Sequence, residues 1–209
     1  MCIRDRHITK HNAHLADADL AIIGNLAEEF SYNELVAASA KGSADLQRIC
    51  NEYLPLVFCR RHGDPSRPWN RFNIKTKDES GNPIVGFQGN WRDIFQNWEA
   101  LAWSFPYYNN AFIYKFLNAT TADGYNPYRI TDNGIEWEEP DPNDPWASIG
   151  YWGDHQIIYL LKLLEFTETL KPKSLNELMN NESFVYSDVP YEIKDCLLYT
   201  SPSPRDLST

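Results

Sequence analysis

The fold class of this 209-residue chain follows from one stretch, Gly89-Asn-Trp-Arg-Asp-Ile-Phe-Gln-Asn-Trp-Glu-Ala-Leu-Ala-Trp103. Its apolar side chains recur at the spacing of one helix face: Phe95, Trp98, Leu101 and Ala102. Asn90 precedes this stripe and is a residue type that favours the N-cap position of a helix. Pro106 separates the helix from a second one, which we predict over 109–117. Two helices joined by so short a connection predict an αα-hairpin.

Helical periodicity continues on the N-terminal side of this pair, where residues 17–60 predict three short helices. The first has a stripe of four apolar residues: Leu20, Ile23, Leu26 and Phe30. Asp17 or Asp19 is expected to cap it. The second begins at Tyr32 and stops before Gly42, and the third begins at Ser43.

The C-terminal side also predicts helices, after a long region without sustained periodicity over 118–153. Six apolar residues define the next helix: Ile157, Ile158, Leu160, Leu161, Leu164 and Leu170. Pro172 ends that helix, and a short one is predicted over 175–179. Alternation over 72–76 and 84–87 is compatible with one small β-hairpin. The chain is therefore expected to be all-α, with long aromatic loops between helix pairs.

Both ends of the chain resemble translated sequencing adapter rather than protein. Met1-Cys-Ile-Arg-Asp-Arg6 matches the translation of a transposon end used in sequencing libraries, and residues 196–209 contain the translation of its opposite strand. We therefore interpret 7–195 as one partial domain of a longer polypeptide, with the informative motifs over 64–156. The remainder of that polypeptide is an expected partner.

Composition narrows the class of function. The net charge of −10 and the pI near 4.9 argue against a nucleic-acid partner or an anionic membrane surface. No apolar run is long enough to predict a membrane span. Once the ends are set aside, Cys50 and Cys59 remain, which predicts neither a disulfide framework nor a Cys zinc site. His155 lacks a second histidine at metal spacing, and the acidic loop 132–144 lacks EF-hand spacing, so we expect no metal and no cofactor.

Aromatic residues are concentrated in one window, since 19 of the 29 lie within 69–152. Any one such ring suits a hydrophobic core. Together, in loops rich in Gly, Pro and hydrogen-bonding groups, they favour a polar cleft that stacks rings on sugar faces. The candidates for binding a carbohydrate substrate are Trp91, Gln96, Asn97, Tyr125, Asn126, Arg129, Trp137, Trp152 and His155.

Glycoside cleavage requires two carboxyl groups, one protonated and one ionised. Asp93, Glu136 and Asp154 are the candidates that we place in one cleft. Glu136 lies between Ile135 and Trp137, an apolar setting that favours a protonated carboxyl. Asp93 and Asp154 each begin a predicted helix, so each suits a simple N-terminal acid equally well.

Four motifs resemble a group of long, poorly characterised bacterial proteins that are similar to the six-hairpin glycosidases. These motifs are Ser66-Arg-Pro-Trp-Asn-Arg-Phe72, Gly89–Leu101, Thr121–Ile130 and Ile149–Tyr159. The resemblance covers about 64–195. It implies a part of an (α/α)6 toroid whose active site lies in loops at the mouths of the inner helices.

Three kinds of function remain open from the sequence. The first is a glycoside hydrolase or phosphorylase that acts on a glycan, and the second is a non-catalytic glycan-binding or structural toroid. The third is a polysaccharide lyase with Tyr151 or His155 as its base. Because a partial toroid lacks hairpins, the 209-residue chain by itself is expected to be inactive.

Overall fold

A computed structural model describes residues 15–54, 77, 79–82, 89–122, 124–131, 134–137, 143, 153–180 and 182–188. These residues are mainly helical, which confirms the all-α prediction. The helices are α1 (Asp17–Gly24), α2 (Tyr32–Ser39), α3 (Ala44–Asn51), α4 (Trp91–Ser104), α5 (Asn109–Ala119), α6 (Gly153–Leu170) and α7 (Ser174–Met179). A 3-10 turn spans Pro106–Tyr108, and three short strands are β1 (Gly89–Asn90), β2 (Arg129–Thr131) and β3 (Gly134–Glu136).

Helices α1 to α3 form a small unit with a hydrophobic cluster of its own. The buried members of that cluster are Ile23, Leu35, Leu46, Ile49 and Cys50. The predicted starts of α2 and α3 are confirmed, because Ser31 and Ser43 are their N-caps. The Ser31 hydroxyl accepts from the backbone N–H of Glu34 in a capping box, and the Ser43 hydroxyl accepts from the N–H of Leu46.

The prediction for the first helix was wrong at both ends. The helix stops at Gly24 rather than reaching Phe30, although Leu26 and Phe30 still pack against the cluster from the following turn. Its N-cap is Ala16, without a side-chain capping bond. Asp19 caps no helix end of its own. Instead, its buried carboxylate accepts from the backbone N–H of Ser43 at 2.9 Å and from the Ser43 hydroxyl at 2.6 Å, which ties α1 to the start of α3.

This Asp19 contact predicts acid sensitivity of the three-helix unit. Hydrogen bonds from Ser43 lower the pKa of Asp19 below its ordinary value. A lowered pKa stabilises the folded state above the pKa of the unfolded chain, and that contribution is lost as the pH falls below about 4. We expect Asp19→Asn to lower the melting temperature at pH 7 and to flatten its decline in acid. Thermal melts across this pH range test the expectation, and equal slopes for both proteins would contradict it.

Gly42 predicts a second local effect, because helix α3 and Asp19 approach it closely. A Cβ at position 42 would lie 2.5 Å from Leu46 Cδ2 and 2.7 Å from Asp19 Oδ1. We expect Gly42→Ala to lower the free energy of unfolding by about 1–3 kcal/mol through overpacking. Gly24→Ala is the matched control, since a Cβ there meets nothing within 4 Å. Urea denaturation of the two variants measures the difference, and equal losses would refute the steric argument.

A second and larger core lies between α4, α5 and α6, and it is dominated by aromatic rings. Its fully buried rings are Trp91, Phe95, Trp98, Phe112 and Phe116. The contacts fix the direction of α5, because Trp98 stacks on Phe112 at 5.3 Å while Trp91 meets Phe116 at 5.9 Å. From the first contact to the second, the residue number falls from 98 to 91 in α4 and rises from 112 to 116 in α5. The two helices are therefore antiparallel, which confirms the predicted αα-hairpin.

Helix α6 packs beside α4 in the same direction. Glu99 and Lys162 form an ion pair at 3.2 Å, and the Trp103 and Phe166 rings lie 4.4 Å apart. From the first pair to the second, the residue number rises by four in both helices. The two helices therefore run parallel. The predicted helix after the long loop is confirmed over Gly153–Leu170, and the predicted short helix begins one residue early at Ser174.

The three strands form an antiparallel sheet in the order β1-β2-β3. Strands β2 and β3 form a hairpin within 118–153, where we expected no regular structure. The hairpin that we expected over 72–76 and 84–87 falls outside the described residues. Ile130 is 1% exposed, so the sheet packs against the aromatic core. The overlooked signal is the run Asp132-Asn-Gly134, whose residue types favour turns between strands.

Candidate active site at the first turns of α4 and α6

Several elements meet at the N-terminal end of α4. The N–H of Trp91 donates to the Tyr128 carbonyl at 2.9 Å, so the loop 124–128 lies against the start of the helix. Strand β1 runs directly into α4 and pairs with β2, which holds the hairpin at the same end. We call this end the mouth. It comprises the first turns of α4 and α6, the loop 124–128 and the β2–β3 hairpin.

Asp93 lies in the first turn of α4, inside the mouth. It is 2% exposed, and one carboxylate oxygen lies 3.7 Å from Arg92 Nε. The third residue of a helix faces the free N–H groups of the first turn, which favours a negative charge. This position suits a functional carboxylate and a structural N-terminal acid alike.

Asp154 is the second residue of α6, and its side chain lies outside the described part of the structure. The register of α4 and α6 nevertheless locates its backbone. Because Glu99 is level with Lys162 and Trp103 with Phe166, Asp154 is level with the first residue of α4. At 1.5 Å per residue, Asp93 and Asp154 differ by about 3 Å along the axes. Packed helices lie about 8–10 Å apart, so the two positions are neighbours across the mouth.

Glu136 reaches the same end through the sheet. Asn90, Arg129 and Glu136 occupy one row across β1, β2 and β3. Strands are spaced by about 4.8 Å, which puts the Glu136 backbone roughly 10 Å from the residue that precedes α4. Arg129 is half-buried and lies on the opposite side of the strand from the buried Ile130. All three proposed carboxylate positions thus belong to elements that meet at the mouth.

Trp91, a predicted carbohydrate-binding residue, is not accessible at the mouth. Its ring is 0% exposed and contacts Phe95 at 4.8 Å and Phe116 at 5.9 Å. A sugar cannot stack on a ring that is covered on all sides, so Trp91 is a core residue in this arrangement. The reason is that α5 packs directly over the first turn of α4.

The other predicted binding residues divide into three groups. Gln96 is exposed and Asn97 half-buried on the second turn of α4, while Trp137 is half-buried next to β3. The second group holds the loop in place: Asn126 Oδ1 accepts from Thr120 Oγ1 at 2.9 Å, and the Tyr125 N–H donates to Thr121 Oγ1 at 2.9 Å. The last group, which comprises Trp152 and the side chain of His155, lies outside the described residues, as does Tyr151, the candidate base of a lyase.

Two buried donors at the start of α4 lack an acceptor among the described residues. They are Trp91 Nε1 and Arg92 Nη2. Arg92 was not among the predicted site residues, although its place next to Asp93 was a usable signal. Its side chain is 12% exposed, and a guanidinium so placed suits an oxygen-rich ligand or a carboxylate.

Thiol chemistry, metal binding and membrane crossing can each be compared with the described residues. Burial raises the pKa of the Cys50 thiol to about 12, so it is not an activated nucleophile. Cys59 falls outside the described residues. No group of three or more His, Cys, Asp or Glu side chains that could hold a metal ion occurs in the part of the chain that is described. None of the described helices combines the length and apolarity needed to cross a membrane.

Comparison with known proteins adds a finding for the N-terminal unit. Residues 5–55 match the family model for glycoside hydrolase family 149 insertion domain 1. No curated protein matches the chain. The matched range contains α1 to α3, the helices that share a separate hydrophobic cluster. It lies before the motifs that suggested a glycosidase and begins at residue 5, inside the segment interpreted as adapter. The chain is thus similar, over residues 5–55, to an inserted domain of a glycoside hydrolase family.

Proposed function

We propose that the chain is part of a carbohydrate-active enzyme, with a glycoside hydrolase-like site at the mouth. The observation that carries this proposal is the parallel packing of α4 and α6. It sets the first turns of the two helices level, which supports a site shared by Asp93 and Asp154. The similarity of residues 5–55 to a glycoside hydrolase insertion domain supports the same class of substrate.

The three carboxyl groups would have different catalytic roles because their local environments differ. Asp93 and Asp154 lie in first helical turns, where free N–H groups and the helix dipole stabilise an ionised carboxylate. Either is suited to activate water, or to attack the anomeric carbon. Glu136 is the proposed donor to the leaving oxygen, and Arg129, its cross-strand partner in the β2–β3 register, would bind the ionised carboxylate that proton donation leaves.

We also propose that the helices belong to a larger α/α toroid. The directions of α4, α5 and α6 alternate, as expected when two inner helices are separated by an outer one. Helix α6 exposes apolar side chains on its far side, with Ile157 54% exposed and Leu161 54% exposed. Exposed apolar patches of this kind mark surfaces that other segments cover. Further hairpins of the same polypeptide are the proposed occupants.

The second candidate is a glycan-binding or structural toroid without catalysis. The burial of Trp91 favours it, because one predicted stacking ring belongs to the core. In that case Asp93 and Asp154 would serve only as N-terminal acids of their helices.

Turnover by the full-length protein that contains this chain separates these functions. A panel of soluble glycans is incubated with and without inorganic phosphate. New reducing ends without phosphate indicate hydrolysis, sugar phosphates indicate phosphorolysis, and ultraviolet-absorbing unsaturated products indicate a lyase. Binding of a glycan without any product supports the non-catalytic function, and neither binding nor product would overturn the carbohydrate assignment.

A further inference from the structure

The three-helix unit contacts α5 close to the mouth. Helix α3 ends at Asn51, and Glu52 follows as its C-cap. The Glu52 carboxylate accepts from Asn118 Nδ2 at 2.6 Å and from Lys115 Nζ at 3.3 Å. Asn118 is the next-to-last residue of α5, the helix that leads into the loop 124–128. A route of contacts from the three-helix unit to the mouth therefore begins at this side chain.

Both ends of the Asn118 carboxamide are bonded, and the residue is 9% exposed. Nδ2 donates to Glu52, while Oδ1 accepts from the backbone N–H of Val185 at 3.0 Å. A carboxylate only accepts and a backbone N–H only donates, so the two contacts fix the orientation of the amide. Breaking either contact would leave a buried polar group unsatisfied. Asn118 thus joins the end of α3, the end of α5 and the segment 182–188.

The residues that follow α5 hold the loop at the mouth. Thr121 binds both backbone groups of Tyr125. Its N–H donates to the Tyr125 carbonyl at 2.8 Å, and its Oγ1 accepts from the Tyr125 N–H at 2.9 Å. At the far side of the loop, the Tyr128 carbonyl accepts from the N–H of Trp91. Hydrogen bonds therefore hold the loop at both of its sides, between the end of α5 and the first residue of α4.

We propose that Asn118 is a positioning residue, through which the three-helix unit holds the loop 124–128 in place at the mouth. The unit also touches the start of α5, where the Tyr32 and Tyr108 rings lie 5.3 Å apart. Because α5 is antiparallel to α4, that contact lies at the end of α5 away from the mouth. The Glu52–Asn118 contact lies at the end from which the loop begins.

Amide hydrogen exchange of the whole 209-residue chain, resolved by NMR, tests this role without any substrate. The reporters are the Tyr125 and Trp91 amides, whose hydrogen bonds hold the loop. The Leu163 amide in the middle of α6 reports the stability of the core. We expect Asn118→Ala to speed exchange at both loop reporters by about tenfold relative to Leu163, the effect of losing a buried hydrogen bond on local opening.

Asn110→Ala is the matched control, because Asn110 is exposed in the first turn of the same helix. It should leave the exchange of the loop reporters relative to Leu163 unchanged. A ratio in Asn118→Ala no higher than in Asn110→Ala would overturn the proposal.

Two substitutions of Glu52 separate positioning from stability. Glu52→Ala and Glu52→Gln both remove the charge beside Lys115, but glutamine keeps an oxygen that accepts from Asn118. Glu52→Ala should therefore speed exchange of the loop reporters relative to Leu163, whereas Glu52→Gln should leave that ratio close to the value of the unchanged chain. Equal ratios in the two variants would contradict a positioning role.

The consequence for catalysis rests on the proposed function. The loop contains Tyr125 and Asn126, two predicted carbohydrate-binding residues, so displacing it should weaken substrate binding more than it slows the chemical step. In the full-length protein, we expect Asn118→Ala to raise KM about fivefold with little change in kcat, and Asn110→Ala to change neither. An unchanged KM would overturn the role in substrate binding. If no glycan were turned over, the proposed function would fail, while the exchange ratios would still decide the positioning role.

Discussion

Replacing Glu52 by alanine should lower the free energy of unfolding by about 3–5 kcal/mol, the cost of breaking a buried ion pair from one side. The Glu52 carboxylate lies between α3 and α5, with 11% of its side chain exposed. It meets Lys115 Nζ at 3.3 Å and accepts from Asn118 Nδ2 at 2.6 Å. Without it, the Lys115 ammonium would stay buried with no carboxylate to balance its charge.

Glu99→Ala provides the comparison, because the Glu99–Lys162 pair is more exposed and contributes about 0–1 kcal/mol. Urea denaturation followed by circular dichroism measures both variants. Lys115→Met combined with Glu52→Leu should recover only part of the loss, because it removes the unbalanced Lys115 charge while Arg48 and Asn118 still lose the Glu52 carboxylate. If Glu52→Ala were no more destabilising than Glu99→Ala, the network would not join α3 to α5 energetically.

The sequence predicted most helices because their signals are local. Ser31 and Ser43 cap α2 and α3 from positions that the sequence itself marks, and Pro106 separates α4 from α5. The first helix was overextended because Leu26 and Phe30 keep a helical spacing while packing from a turn. Apolar spacing reports which side chains are buried, and the backbone can end a helix before that pattern ends.

Long-range partners were beyond a reading of the sequence alone. Asp19 looked like the cap of its own helix, yet it binds Ser43, 24 residues further along the chain. The Glu52–Lys115 pair spans 63 residues and has no local signature. Trp91 was assigned to a cleft because composition counts aromatic rings and does not tell which helix covers them. Such contacts depend on tertiary packing, which overrides local preference.

The sequence predicted which helices contribute to the site better than it predicted which side chains line it. Asp93 and Asp154 were expected to begin two helices, and the contacts between α4 and α6 show that these helices run parallel. The β2–β3 pairing brings Glu136 to the same end without any sequence periodicity having indicated a sheet. The carboxylate roles stay predictions, and substitutions at the two aspartates test them most directly.

Asp93→Asn and Asp154→Asn in the full-length protein should each reduce turnover by about 10²–10⁴-fold, the usual contribution of a general acid–base group. Asparagine keeps the size of the side chain and its ability to accept a hydrogen bond in a first helical turn. The free energy of unfolding should therefore fall by no more than about 2 kcal/mol at the buried Asp93, the upper value for a charge–dipole interaction at a partly buried helix end. Initial rates on the best glycan and urea denaturation of the same preparations give both quantities.

Asp17→Asn is the matched control for this pair, because Asp17 is also an acidic residue in a first helical turn but lies exposed at the start of α1. It should lower the free energy of unfolding by about 0.3–1 kcal/mol, the range for an exposed first-turn acid, and leave turnover unchanged. Replacing a catalytic carboxylate lowers turnover strongly and changes the free energy of unfolding little. Replacing an acid that only stabilises a helix end changes the free energy of unfolding and leaves turnover unchanged. If Asp93→Asn and Asp154→Asn both lowered the free energy of unfolding but kept full turnover, as expected for Asp17→Asn, the two residues would be only N-terminal acids of their helices. The assignment of a hydrolase site to the mouth would then be wrong.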